Sequence, residues 1–199
     1  MKNRAWIWIF TGFLVVFLVV AYALPNLRPY RFHGTLIQSQ DVAPDFTLTT
    51  QQAQTASLSD FRGKLVVLYF GYTSCPDVCP ATLVEINNAL EELGEKSEVV
   101  QVIMVTVDPE RDNPQKLAEY LAHVNPDFIG LTGSPEQIAE AAALYGIYLG
   151  KNEGSDAIDY LVDHTATLMV IDQEGYLKLI VPFGTTAKEI ADDLAYILK

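Results

Sequence analysis

Tryptophan is missing from residue 9 onward: both copies, Trp6 and Trp8, lie at the very start of the 199-residue chain. That lack counts against a thiol peroxidase, because glutathione-peroxidase-like enzymes use a Trp near the reactive thiol. Cysteine occurs only twice and histidine three times, too few to build a framework of disulfides. Basic residues are also short, 13 against 25 acidic, for a formal charge of −12. Such a surface repels nucleic acid and anionic lipid headgroups, so no nucleic-acid partner is expected. Acidic residues are themselves absent before Asp41. Everything after the first forty residues therefore has a different character from what precedes it.

What the first segment does contain is a run of twenty uncharged residues, Ala5 to Leu24. In a helix such a run rises about 30 Å, the thickness of a bilayer's hydrocarbon core. Lys2 and Arg4 precede it and should stay in the cytoplasm; Arg28 and Arg31 on the far side weaken that orientation without reversing it. Residues 1–24 are thus expected to be a single-pass anchor, one transmembrane helix, with the remainder outside the cytoplasm. Ala21-Tyr22-Ala23 offers a cleaved signal peptide as the alternative, although the run exceeds the usual length of about 7–15 apolar residues. No Cys follows for lipid attachment, and the early start leaves little room for an Arg-rich presequence. Both points favour the periplasmic or extracytoplasmic side of a bacterial cytoplasmic membrane. Residues 25–42, with Pro25, Pro29 and Gly34, read as a tether. Residues 43–199 are long enough for one domain with one core, and 11 basic against 25 acidic residues give the part beyond the anchor a charge of −14.

Within that domain, Pro44 to Leu48 alternates like a short strand, and Leu65 to Phe70 is a continuous apolar run that reads as a strand buried on both faces. Leu83, Ile86, Leu90 and Leu93 recur at helical spacing before Gly94. Val99 to Val107 is a second buried strand. Pro114 opens a helix to about Val124, and Ser134-Pro135-Glu136 opens a weaker one to about Tyr145. Thr167 to Ile171 and Leu177 to Val181 read as strands joined by the turn Asp172-Gln173-Glu174-Gly175, and Thr185 to Leu198 as a closing helix. The order predicts an α/β domain, a mixed sheet with helices on both faces.

Cys75-Pro76-Asp77-Val78-Cys79-Pro80 falls in the turn between a buried strand and the following helix. A helix N-terminus carries partial positive charge and free N–H groups, which favour a thiolate, the form that acts as nucleophile and metal ligand. Asp77 is placed to cap that helix and Pro80 suits its first turn. A plain structural disulfide is the bland alternative, but closing so short a loop removes little entropy from the unfolded chain. In thioredoxin-like folds the segment entering the strand near Ala166 packs against such a turn, usually with a proline; here the segment is Asp163-His164-Thr165. On that placement the His164 ring can face both sulfurs, whereas His33 and His123 have no such partners. Two thiolates and an imidazole form a soft set that suits Cu(I), or Cu(II) with a further ligand. A closed zinc site needs a fourth protein ligand that is lacking. Asp77 and Asp163 are candidates to orient His164 or tune the sulfurs, and equally ordinary turn residues.

At these residues the sequence resembles the Sco/SenC family of copper-binding assembly factors for cytochrome c oxidase. The matching stretches are Gly71 to Pro80, Val107-Asp108-Pro109-Glu110-Arg111-Asp112, Phe128 to Gly133, and Tyr160-Leu161-Val162-Asp163-His164. The resemblance implies a thioredoxin-like fold with copper held by Cys75, Cys79 and His164. It implies, as partner, cytochrome c oxidase subunit II, whose binuclear copper centre would be matured by copper delivery or by reduction of its cysteines. A copper donor or a thiol reductant is the other expected partner. Three classes are therefore in play: a copper chaperone, a thiol-disulfide oxidoreductase in which Cys75 attacks and Cys79 resolves, and a thiol peroxidase. The missing Trp, the three-residue gap between the cysteines and the facing histidine favour the first.

Overall fold

Seven consecutive buried residues, Leu65–Gly71, make the axis of the molecule. Each fully buried Leu, Val or Phe side chain contributes about 1.5–3 kcal/mol of apolar transfer, so this strand anchors the core. The structure, a computed structural model, describes residues 6, 10–20, 29–39, 41–153 and 160–199; for residues 151–153 and 164 only the backbone is described. The chain divides into two units, Met1–Arg31 and Phe32–Lys199.

In the first unit residues 10–20 are helical (α1) and carry exposed apolar side chains such as Phe13 and Phe17. Among the described residues no helix is long and apolar enough to cross a membrane. Of the anchor expected at residues 1–24, half, residues 6 and 10–20, is described, and the helix seen there is too short to count as the expected transmembrane helix.

In the second unit the elements run β1 (Thr35–Leu36), β2 (Thr47–Thr50), β3 (Thr55–Ser57), β4 (Leu65–Gly71), α2 (Val78–Leu93), β5 (Val100–Thr106), α3 (Pro114–Ala122), β6 (Ile129–Thr132), α4 (Pro135–Leu144), β7 (Leu149–Glu153), β8 (Tyr160–His164), β9 (Leu168–Ile171), β10 (Leu177–Val181) and α5 (Ala187–Ile197). Eight strands form one mixed sheet in the order β1-β10-β9-β4-β5-β6-β2-β3, and β7 and β8 pair separately. The β4–β5 and β5–β6 pairs are parallel and the β4–β9 pair antiparallel. This is the expected mixed α/β sheet flanked by helices.

Register assigns the layers. Tyr69, Met104 and Gly130 are cross-strand neighbours and so share a face. A Cβ on Gly130 would lie 3.1 Å from Leu117 Cβ, so that face carries α3. Asn125 Nδ2 donates to Asn87 Oδ1 at 2.8 Å, and the Ala187 N–H to Glu85 Oε2 at 2.7 Å, joining α2 to the end of α3 and to α5. Phe70 points the other way, where the Tyr145 ring at the end of α4 stands 6.0 Å from it and 5.9 Å from Phe46.

Helix ends follow the expected signals. Gly94 at φ 59° closes α2, Asn113 caps α3 with Pro114 behind it, and Ser134 and Gln137 form a capping box on α4. Several elements depart from expectation. The first domain strand is Thr47–Thr50 rather than residues 44–48, and β3 occupies the polar stretch after it. Residues 32–39, read as tether, contribute β1, which pairs with β10. The hairpin β7–β8 and strand β6 had no counterpart in the sequence pattern. In particular, His164 ends a strand of its own instead of merely preceding β9.

Candidate functional site

The cysteine turn, residues 72–77, leaves the carboxyl end of β4 and feeds α2. Cys75 and Cys79 are not joined by a disulfide; Cys75 is half-buried and Cys79 fully buried. The Cys79 N–H donates to Cys75 Sγ at 3.4 Å, so the two residues meet at the first turn of α2. Gly71 makes the fit possible: a Cβ there would lie 2.6 Å from Tyr69 Cε1 and 3.3 Å from Cys79 Sγ.

The electrostatics correct one expectation. The helix N-terminus was expected to lower the thiol pKa values, yet the adjoining Cys75 thiol, followed by burial, pushes Cys79 well up. The Tyr69 hydroxyl and the Tyr72 backbone pull it down more weakly. Burial, followed by the charge of Cys79, raises Tyr69 as well. Two adjacent sulfurs cannot both ionise cheaply in an apolar pocket. Without a cation beside it the inner sulfur keeps its proton. Asp77 does occupy the N-cap of α2, but its side chain makes no capping bond and is exposed.

A buried carboxylate fixes this turn. Asp112, inaccessible to solvent, accepts from the Thr73 N–H at 2.9 Å, the Thr73 hydroxyl at 2.5 Å and the Thr106 hydroxyl at 2.7 Å. Lys116 Nζ lies 3.4 Å from Asp112 Oδ1 and donates to the Ser74 hydroxyl at 3.2 Å.

Opposite the turn lies β8. A cleft of about 230 Å³ separates them, lined by Tyr72 and Cys75 to Val78 on one wall and by Leu161, Val162, Asp163 and Ala166 on the other. The Val162 N–H donates to the Tyr72 hydroxyl at 3.4 Å. Tyr160 donates its hydroxyl to Asp108 Oδ1 at 2.6 Å and accepts from Arg111 Nη1 at its carbonyl, 3.1 Å away. Arg111 also pairs with Asp108 through Nε, and its guanidinium lies 3.7 Å from the Tyr160 ring centroid.

Of the residues singled out from sequence, the structure brings Cys75 and Cys79 together and sets Asp77 and Asp163, both exposed, on facing walls of the cleft. His164 closes β8 opposite Leu149; its side chain lies outside what is described. Among the described residues no group of three His, Cys, Asp or Glu is positioned to hold a metal ion. Two thiols not joined by a disulfide, with a histidine-bearing strand lining the same cleft, are nonetheless a donor set that fits a soft cation.

Sequence reasoning missed Asp108, Arg111, Asp112 and Tyr160 as parts of the site. They lie in stretches that carried the resemblance, but a charged turn gives no local sign of burial. His33, read as bland, holds the buried Asp193 through its N–H at 3.1 Å and Nδ1 at 3.1 Å.

The SCO1/SenC family model matches residues 34–199. The mouse mitochondrial SCO2 homolog is 34% identical over 152 residues, 75% of this chain and 60% of that protein. The chain therefore spans about 60% of the length of that curated relative. The solution structure of apo Sco1 from Thermus thermophilus is 42% identical, with a TM-score of 0.73 over 84% of this chain and 98% of its own. Arabidopsis thaliana ScoI, solved with copper bound, is 33% identical with a TM-score of 0.75 over 79% and 98%. BsSco, described as a Sco-family cytochrome c oxidase assembly protein with a disulfide switch, is 22% identical with a TM-score of 0.66 over 82% of this chain and 96% of its own, a likeness of fold.

Proposed function

Because this chain belongs to the SCO1/SenC family, we propose that it is a copper chaperone that takes up one copper ion and delivers it to the binuclear centre of cytochrome c oxidase subunit II. Cys75, Cys79 and His164 would hold the cargo. The observation that carries the reading is that the strand ending at His164 lines the same cleft as Cys75. Two sulfurs on a helix N-terminus suit Cu(I), and an imidazole extends the set toward Cu(II). A bound cation removes the penalty that keeps the inner thiol protonated, so loading releases protons. Asp77 and Asp163, on the cleft walls, are placed to orient the histidine or to meet the partner. The apolar run at residues 5–24 would tether the domain to the outer side of a bacterial cytoplasmic membrane, near a copper donor or a thiol reductant.

A second reading is favoured by one specific observation: two thiols in contact and not joined by a disulfide, one of them half-buried. In that reading Cys75 attacks the oxidised cysteine pair of subunit II, and Cys79 displaces the partner thiol to form a Cys75–Cys79 disulfide. Two electrons and two protons pass to the partner. One experiment separates the two. Copper-loaded chain is mixed with a subunit II fragment whose cysteines are already reduced, and metal-free dithiol with the oxidised fragment. Transfer of copper in the first mixture is the expected result. No transfer there, with rapid reduction in the second, would establish the reductase instead.

A further inference from the structure

We propose that the loop 108–112 is a strut that sets the separation between the thiol pair and His164, with Asp108, Arg111 and Tyr160 as positioning residues on the histidine side. The inference rests on the copper-ligand reading above and deepens it.

The need for a strut follows from the strand pairing. Among the described residues the strand partner of β8 is β7, and this pair is separate from the eight-stranded sheet. The main-chain pairing that fixes β4 and the cysteine turn is therefore unavailable to the strand that ends at His164. Side chains take its place. Asp108, fully buried, accepts the Tyr160 hydroxyl and pairs with Arg111, while Arg111 donates onward to the Tyr160 carbonyl and covers the Tyr160 ring. A guanidinium serves this arrangement because its fork donates in two directions while its face stacks on the ring; a lysine ammonium does not reproduce it.

The same short loop holds the other wall. Asp112, one residue after Arg111, grips Thr73, which lies two residues before Cys75. The loop is itself braced: the Asp112 and Arg111 N–H groups donate to the Asp108 carbonyl at 2.9 and 3.2 Å, and the Asp108 N–H to the Thr106 hydroxyl at 3.0 Å. Both donor-bearing walls are thus moored to one five-residue unit, which Thr106, Thr132 and Lys116 brace further through Asp112.

The test uses the full-length chain with Tyr160→Phe and Arg111→Lys, alone and combined with His164→Ala. Each single variant should bind Cu(II) about tenfold more weakly, the loss typical of an outer partner that orients a ligand, and should shift the Cu(II) electron paramagnetic resonance spectrum. In the metal-free chain, amide exchange should quicken at residues 161–164. Thiol-reagent reactivity of Cys75 and Cys79 should stay at the wild-type rate. In the His164→Ala background, Tyr160→Phe should change Cu(II) binding no further, because the histidine it positions is gone. A wild-type Cu(II) affinity and spectrum in both single variants overturns the strut, as does a loss of equal size with and without His164. If His164→Ala alone leaves copper binding intact, the ligand reading itself fails and takes the strut with it. Impaired His164→Ala with silent Tyr160→Phe and Arg111→Lys removes the strut and leaves the ligand reading standing.

Discussion

The two walls of the cleft are built by different means. The cysteine wall grows out of β4, paired on both sides at the centre of the sheet and buried along its whole length. The histidine wall is β8, paired among the described residues with β7 alone and fastened to the body through Tyr160, Tyr72, Asp108 and Arg111. Backbone ladders are cooperative with the core, whereas side-chain fastenings open at lower cost. In the proposed reading, with Cys75 and Cys79 on the rigid wall and His164 on the fastened one, capture and release of the cargo would act on the histidine side.

The comparison can be broken most severely at the sulfurs. Replacing Cys75 or Cys79 by Ser should abolish stoichiometric copper binding under both oxidation states, measured by titration against a competing chelator. His164→Ala should be more selective: Cu(II) binding weakened by more than about 100-fold, beyond what loss of an outer partner costs, with thiol reactivity unchanged. Equal damage by the two kinds of substitution to thiol reactivity would mean that the walls are not independent.

The carboxylates sharpen the contrast. Asp112→Ala leaves the Thr73 N–H, the half-buried Thr73 hydroxyl and the buried Thr106 hydroxyl without their acceptor. It should cost about 2–4 kcal/mol of global stability, read as a lowered urea midpoint. Tyr160→Phe removes one bond from the fastened wall and should cost about 1 kcal/mol in the same assay. A larger loss from Tyr160→Phe than from Asp112→Ala would reverse the ranking of the walls.

The remaining expected effect is on pH. Cys79 and Tyr69 have folded pKa values raised above their ordinary ones. Their contribution to stability is therefore fully present below each group's unfolded value, about 8.5 for the Cys79 thiol and about 10 for the Tyr69 phenol, and is lost as pH rises past it, because only the unfolded chain sheds the proton readily. The metal-free chain should lose up to about 1.4 kcal/mol per pH unit per group above that group's unfolded value, and Cys79→Ser should flatten the slope near pH 9. A urea midpoint that rises between pH 8 and 10 would contradict the assignment.

The same contrast explains what could be read in advance. The cysteine wall was legible because its physics is local: an unbroken apolar run for a doubly covered strand, a helical recurrence of Leu83, Ile86 and Leu90 stopped by Gly94, and prolines at the start of α3 and α4. The histidine wall was not. Gly150-Lys151-Asn152-Glu153 in β7 lacks apolar alternation, since a two-stranded pair outside the sheet needs little of it. β6 hides its strand character behind Gly130, which is small because Leu117 and Leu121 press against it. The polar edge strand Thr55–Ser57 is three residues long. Nothing local marked Asp108 and Asp112 as buried, because burial of a carboxylate is decided by partners distant in the chain. The lowered thiol pKa expected from the helix end was overridden by the second sulfur, a pair effect that the position of one cysteine does not reveal.

The most direct test of the central claim is X-ray absorption at the copper edge on the full-length chain loaded with one equivalent of Cu(II), beside the same measurement on His164→Ala. Two sulfurs and one imidazole nitrogen around the metal, with the imidazole scattering lost in the variant, is the predicted result. An identical imidazole signal in both proteins, or a copper ion without sulfur neighbours, would contradict it.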